Sequence, residues 1–144
     1  MLQQIALGSM LVVITTGVHA LCTIGVVLAL RSTHSNRVAS RSVGRRIFFL
    51  SALVLSLFLA VLGEVALWAF TYRVSGAIAS LEPALYFSMV TFTTLGYGDV
   101  TLDAKWRLLA SLQAGNGTII FGWTTAIIVA VLHRMVIERD MTAA

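Results

Sequence analysis

Charge is what this 144-residue chain has least of. Asp, Glu, Lys and Arg make up 11% of it and 58% is hydrophobic, where ~25% charged is ordinary for a soluble domain. A water-soluble domain this small exposes much of its surface and needs charges to coat it. A soluble enzyme, a disordered tail and a collagen-like fibre are excluded, and a lipid-embedded protein remains. Cysteine occurs once, as Cys22, so neither an internal disulfide nor a multi-cysteine metal site can form. In its apolar run that thiol reads as packing. No nucleophile–base pair, phosphate loop or metal cluster is recognisable either, which argues against any enzyme.

The charges present are segregated. No Asp, Glu, Lys or Arg occurs from Met1 to Leu30, from Ile47 to Gly63, or from Leu108 to Leu132. With its apolar flanks each run reaches the ~20 residues that a helix needs to cross ~30 Å of hydrocarbon. Backbone in lipid must satisfy its own hydrogen bonds, so these runs are expected to be transmembrane helices, at 1–30, 47–72 and 106–137. Val18-His19-Ala20 resembles a signal-peptide cleavage site, but no basic stretch precedes it and the apolar run continues beyond it. The first helix is therefore expected to be retained.

Residues 31–46, RSTHSNRVASRSVGRR, carry Arg31, Arg37, Arg41, Arg45 and Arg46 without an acid. Short arginine-dense loops stay cytoplasmic. The N-terminus is then outside the inner membrane and the C-terminus cytoplasmic, with Arg134 and Arg139 adding to the internal excess. Outside, Arg73, Lys105 and Arg107 are matched by Glu82, Asp99 and Asp103. The net charge of +4 is thus a topology signal, and the basic loop is a candidate for anionic lipid. It has no interleaved aromatics and no groove to present, so nucleic acid is not an expected partner. Its irregular arginine spacing outside a span also excludes a voltage sensor.

Ser80–Asp103, SLEPALYFSMVTFTTLGYGDVTLD, is too apolar for an exposed loop and too short to cross twice. The only proline, Pro83, suits a first helical turn, with Ser80 as a cap and Glu82 favourable against the helix dipole. A helix over 83–93 would span ~15–18 Å, half a membrane. The string Thr94-Leu95-Gly96-Tyr97-Gly98 follows directly. A half-helix followed by an extended, glycine-alternating strand describes a re-entrant loop, tolerated at membrane depth where it is buried in protein or lines a water-filled path. If successive carbonyls turn to one side, some residues take left-handed dihedrals, which Gly96 and Gly98 adopt without a Cβ penalty.

Thr-Thr-Leu-Gly-Tyr-Gly-Asp after such a half-helix, between two spans, resembles the filter of the bacterial pore-loop (two-transmembrane-type) potassium channels, with Leu95 in place of the valine of T-V-G-Y-G. The likeness runs from the second span to the end of the third, so the chain looks like a small member with an extra N-terminal transmembrane helix. The resemblance implies an all-α integral membrane fold: three transmembrane helices plus a re-entrant pore helix and selectivity-filter loop, assembled as a homotetramer. Residues 47–144 would form the pore domain. It implies that K+ ions are held by carbonyls of Thr94, Leu95, Gly96 and Tyr97, that Thr94 hydroxyls add an inner ring, and that Gly98 ends the filter. No organic cofactor is implied. Leu95 and Tyr97 side chains would brace the strand against pore helices.

Two positions depart from the family pattern or vary within it. Some members place a carboxylate behind the filter where this chain has Val90, so the bracing must differ. The aromatic pair found in some relatives is Tyr86-Phe87, and Tyr86 is placed to hydrogen-bond Asp99. Glu64, the only acid inside a span, is expected to brace the pore loop in place of the missing carboxylate; a proton relay would need a second ionisable group, for which His19 is the sole candidate. Family spacing puts Gly117 at the hinge of the inner helix, while small residues equally serve close packing. Thr118, Phe121, Thr125 and Val129 would face the cavity and, with Gly117, form its gate. Gln113 and Asn116 would either line its upper wall or bond between chains. His133 reads as an interfacial polar tip rather than a pH sensor. The expected function is passive, potassium-selective conduction; the alternative is a non-conducting or weakly selective membrane subunit or scaffold.

Overall fold

A computed structural model describes residues 1–34 and 43–143. The centre of the expected basic loop, and with it the expected lipid contact, lies outside the described residues. Four helices make up the fold, and no strand occurs among the described residues. They are α1 (Leu2–His34), α2 (Val43–Val74), α3 (Leu81–Phe92) and α4 (Arg107–Ala143). Three carry stretches long and apolar enough to cross a membrane: Leu2–Leu28, Arg46–Val74 and Arg107–Arg134.

The helices outrun the expected spans, and the sequence says why. No proline or glycine lies between Val26 and His34 or between Trp123 and Ala143, so nothing halts propagation where the apolar stretch ends. Where a helix does stop, the cause is local. Past Val74, Gly76 takes φ +73°, its amide bonds the Arg73 carbonyl at 3.3 Å, and Ala77 N donates to Tyr72 O at 3.0 Å. A left-handed glycine with these two reversed bonds terminates a helix. Helix α3 begins two residues before the expected Pro83: Ser80 is extended at φ −136°, ψ 159°, but its hydroxyl makes no cap bond.

Contacts ascend together along α1 and α4. The Gln4 side chain bonds the Lys105 carbonyl, Gly8 lies against Leu109 and Leu112, and Asn116 donates to Thr15 Oγ1 at 2.7 Å. The two helices are therefore parallel, with α2 antiparallel to both. The N-terminus and the whole α2–α4 connection share one end of the bundle. Short α3 packs between α2 and α4, over a core that includes Trp68, Tyr72, Phe92, Leu109 and Ile120.

What holds α3 in place is a closed set of hydrogen bonds. Tyr72 OH of α2 donates to Gln113 Oε1 of α4 at 2.8 Å. Gln113 Nε2 donates to Ser88 Oγ at 2.7 Å and lies 3.2 Å from Ser88 O. Ser88 Oγ in turn donates to the Val65 carbonyl at 2.7 Å. All three side chains are fully buried. Gln113 was expected on a cavity wall or between chains; it instead joins three helices of one chain, because that is where its donors and acceptors are all met.

Gly117 brings α4 against the end of α3. A Cβ there would stand 2.8 Å from the Phe92 carbonyl carbon and closer still to its oxygen, so the close-packing role of this glycine has a direct cause. Gly117→Ala should push α4 off α3 and cost about 1–3 kcal/mol, read as a lower thermal midpoint of the detergent-solubilised protein. Gly17→Ala, with nothing within 4 Å of the new Cβ, should leave the midpoint unchanged or slightly raised.

Candidate functional site

The last turn of α3 binds the loop that follows it. Thr93 N donates to Met89 O and Thr94 N to Thr91 O, both at 3.0 Å; Leu95 N and Gly96 N both reach Val90 O, at 2.9 and 3.3 Å. Four consecutive amides thus point into α3. In a trans peptide the carbonyl points opposite its amide N–H. The carbonyls of Thr93, Thr94 and Leu95 are therefore turned away from α3.

Backbone dihedrals continue the pattern. Thr94, Gly96 and Gly98 have φ of +59°, +60° and +79°, while Leu95 and Tyr97 are not left-handed. Alternating hands set successive amides to one side of the chain, and hence carbonyls to the other. The glycines accept these dihedrals without a Cβ clash. Thr94 does not: a β-branched residue in this region is strained, by about 1–3 kcal/mol. Sequence reading missed it, because only glycine signals a left-handed position. Among the described residues no donor is bonded to the carbonyls of Thr94, Leu95, Gly96 or Tyr97.

Around the loop, each expected support is found in a particular place. Tyr86 OH donates to Asp99 Oδ2 at 2.7 Å, and this bond, aided by the Asp99 and Val100 amides, holds the exposed Asp99 carboxyl below its ordinary pKa despite partial desolvation. The same carboxylate raises the Tyr86 phenol. Val90 contributes its carbonyl, which caps the start of the loop, rather than its side chain. Leu95 and Tyr97 do not brace the strand against α3 within the chain: their side chains are 55% and 69% exposed.

Glu64 departs from expectation. Its bonded oxygen goes to α1, with Oε1 3.0 Å from His19 Nδ1, and its other oxygen has no partner. No bond links it to the 94–98 loop, because it faces the α1 side of α2. Asn116 likewise bonds α1, through Thr15, rather than a cavity or a neighbouring chain. Thr15 and His19 lie i, i+4 on one face of α1, but Ser9, Thr16 and Thr23 are polar in the same helix, so the sequence does not single that pair out. Thr118, Phe121, Thr125 and Val129 are exposed along α4, Phe121 stacking edge-on with Phe92 at 5.9 Å. His133 is exposed near the far end.

Chemically, the loop is a row of neutral, dipolar oxygens. No group of three or more His, Cys, Asp or Glu side chains capable of holding a metal occurs among the described residues. A cation met here would meet uncharged oxygens, an arrangement that permits release as well as entry.

A family model described as an ion channel matches residues 47–134, more than half of the chain. The chain belongs to the ion channel family. Searches of curated proteins and of solved structures return no match. The matched stretch opens within α2 and closes within α4, so it contains α3 and the loop. With three apolar helices, this ion channel family protein is a multi-pass membrane protein.

The Tyr86–Asp99 bond favours the carboxylate, so its contribution is present at neutral pH and lost on acidification through the lowered Asp99 pKa. Tyr86→Phe should raise that pKa toward the ordinary carboxylate value, measured by carbon-13 titration of the labelled aspartate. An unchanged titration would show that the hydroxyl is not what holds it down.

Proposed function

We propose that this protein is a potassium-selective channel of the bacterial pore-loop type, passing K+ passively through a homotetrameric filter built from Thr94–Gly98. One observation carries the reading: the amides of Thr94 to Gly96 are turned into α3, left-handed φ recurs at Thr94, Gly96 and Gly98, and among the described residues no donor is bonded to the carbonyls of Thr94 to Tyr97. Stripping water from K+ requires a comparable set of oxygens in return. One strand supplies too few, and closed rotational assembly of copies would complete the ring. The exposure of Leu95 and Tyr97 supports the same assembly, since a neighbouring chain would cover them. Potassium ions are the cargo of this site.

In this reading α2 is the outer helix, α3 the pore helix and α4 the inner helix. The negative end of the α3 dipole lies beside Thr94, where a partly dehydrated cation gains from it. Thr94 hydroxyls form the inner ring, and Asp99, held by Tyr86, borders the outer mouth. Thr118, Phe121, Thr125 and Val129 face the cavity below. The protein sits in the inner membrane with its N-terminus outside and its C-terminus cytoplasmic. That orientation agrees with the α2–α4 connection and the N-terminus sharing one end of the bundle.

A liposome flux assay tests this. Reconstituted wild type should discharge an outward K+ gradient once a protonophore balances the charge. Gly98→Ala, which places a Cβ at φ +79° at a cost of roughly 1–2 kcal/mol per chain, should suppress that flux while the protein still elutes as a tetramer. Equal flux from both proteins would contradict the filter assignment.

A further inference from the structure

The first helix lies outside the stretch that matches the ion channel family, yet most of the polar side chains it buries are directed at that stretch. Its bonds form a ladder. Gln4 bonds the Lys105 carbonyl, next to the start of α4. Thr15 Oγ1 accepts from Asn116, one residue before Gly117. His19 Nε2 lies 3.2 Å from Thr124 Oγ1, two residues past Gly122. The upper rungs hold α4 where it is already fixed to α3 through Gln113 and Gly117. The lowest rung holds the part of α4 beyond both glycines, which among the described residues no bond to α3 restrains.

His19 differs from the other rungs because it also touches α2. Its Nδ1 is 3.0 Å from Glu64 Oε1, and its ring meets Trp123 edge-on at 5.6 Å. Both His19 and Glu64 are buried, at 0% and 1% exposure. As plain glue this junction is poor. Glu64 Oε2, Trp68 Nε1 and Asn116 Oδ1 are buried without partners, and an apolar residue at position 64 would pack with no such penalty. What the carboxylate supplies, and an apolar side chain does not, is direction. With Nδ1 held by Glu64, the ring is fixed so that Nε2 faces Thr124.

We propose that His19 is a positioning residue for the inner helix: anchored by Glu64 on α2, it clamps α4 at Thr124 and so sets the equilibrium of the channel gate. The α1 helix is then a built-in regulator of the pore rather than a peripheral anchor. This inference rests on the channel reading above. Thr124 has an alternative partner when the clamp opens, the carbonyl one turn back on α4, so release leaves the threonine satisfied and the transition reversible.

Single-channel recording of the full chain in planar bilayers tests it. Thr124→Val removes the Nε2 partner at nearly constant volume and leaves the His19–Glu64 pair intact; Thr124→Ser restores the hydroxyl. Thr124→Val should change the closed-to-open ratio roughly three-fold per subunit, the mean worth of an intramembrane hydrogen bond, and by tens of fold if the subunits move together. Reversal potential and unitary conductance should stay as in wild type, and Thr124→Ser should restore the ratio. In a His19→Asn background, whose shorter amide can still meet Glu64 but does not reach Thr124, Thr124→Val should add little, since the two residues act as one unit. An unchanged ratio in Thr124→Val, or full additivity of the two substitutions, would overturn the clamp. Amide hydrogen exchange gives a second readout that needs no current. Exchange of α4 beyond Gly122 should quicken in Thr124→Val, and identical exchange would likewise overturn it. Absence of current in wild type would sink the channel reading instead, leaving exchange to decide whether the clamp exists.

Discussion

In hydrocarbon a polar group finds its partner inside the protein or goes without. Gln113 shows what that constraint builds. Its amide receives from Tyr72 on α2 and gives to Ser88 on α3, and Ser88 passes the chain of bonds back to Val65. A side chain with one acceptor and one donor group fully engaged fixes both the rotation and the depth of α3 between its neighbours. Truncating any member leaves its immediate partner buried and short of a bond, a penalty of about 1–3 kcal/mol for each orphaned group. The position of the 94–98 loop follows from this node, because the loop starts where α3 ends and its first amides are tied to α3 carbonyls.

The loop itself balances strain against attachment. Thr94 is left-handed although it is β-branched, and it stays so because the amides on either side of that bend, at 94, 95 and 96, are bonded to Thr91 and Val90. A strained residue persists where its surroundings over-determine it, and such residues cluster at functional sites. Here the result is a loop whose first donors, at Thr94 to Gly96, are bonded to α3, while the carbonyls of Thr94 to Tyr97 meet no donor among the described residues. On the channel reading proposed above, carbonyl ligands without fixed charge would suit an ion that must be held briefly and then released.

Much of this was legible from residue order. Uncharged runs of the right length marked the three long helices, Pro83 and Glu82 marked the start of the short one, and the Thr94–Asp99 string marked the loop. The Tyr86–Asp99 bond was legible through the family resemblance, which sets the aromatic pair Tyr86-Phe87 beside the loop that Asp99 ends. What could not be read was the choice of partner between helices. Glu64, Asn116 and Gln113 were each visible as polar residues in apolar surroundings, but which neighbour each one meets depends on helix rotation and depth. Rotation is set by all the contacts of a helix together, and a single residue carries no record of it. α1 and α4 run further than expected, to His34 and Ala143 rather than Leu30 and Ile137, for a simpler reason: hydropathy reports the membrane, whereas helix ends are set by glycine, proline and capping chemistry.

What passes through the loop decides whether Thr94–Gly98 is a filter. The most direct measurement is the reversal potential of the reconstituted protein with K+ on one side of a bilayer and Na+ on the other. Selective coordination by the carbonyls of Thr94 to Tyr97 predicts a reversal displaced strongly toward the potassium equilibrium potential. A reversal near zero, with the two ions carrying current equally, would contradict it.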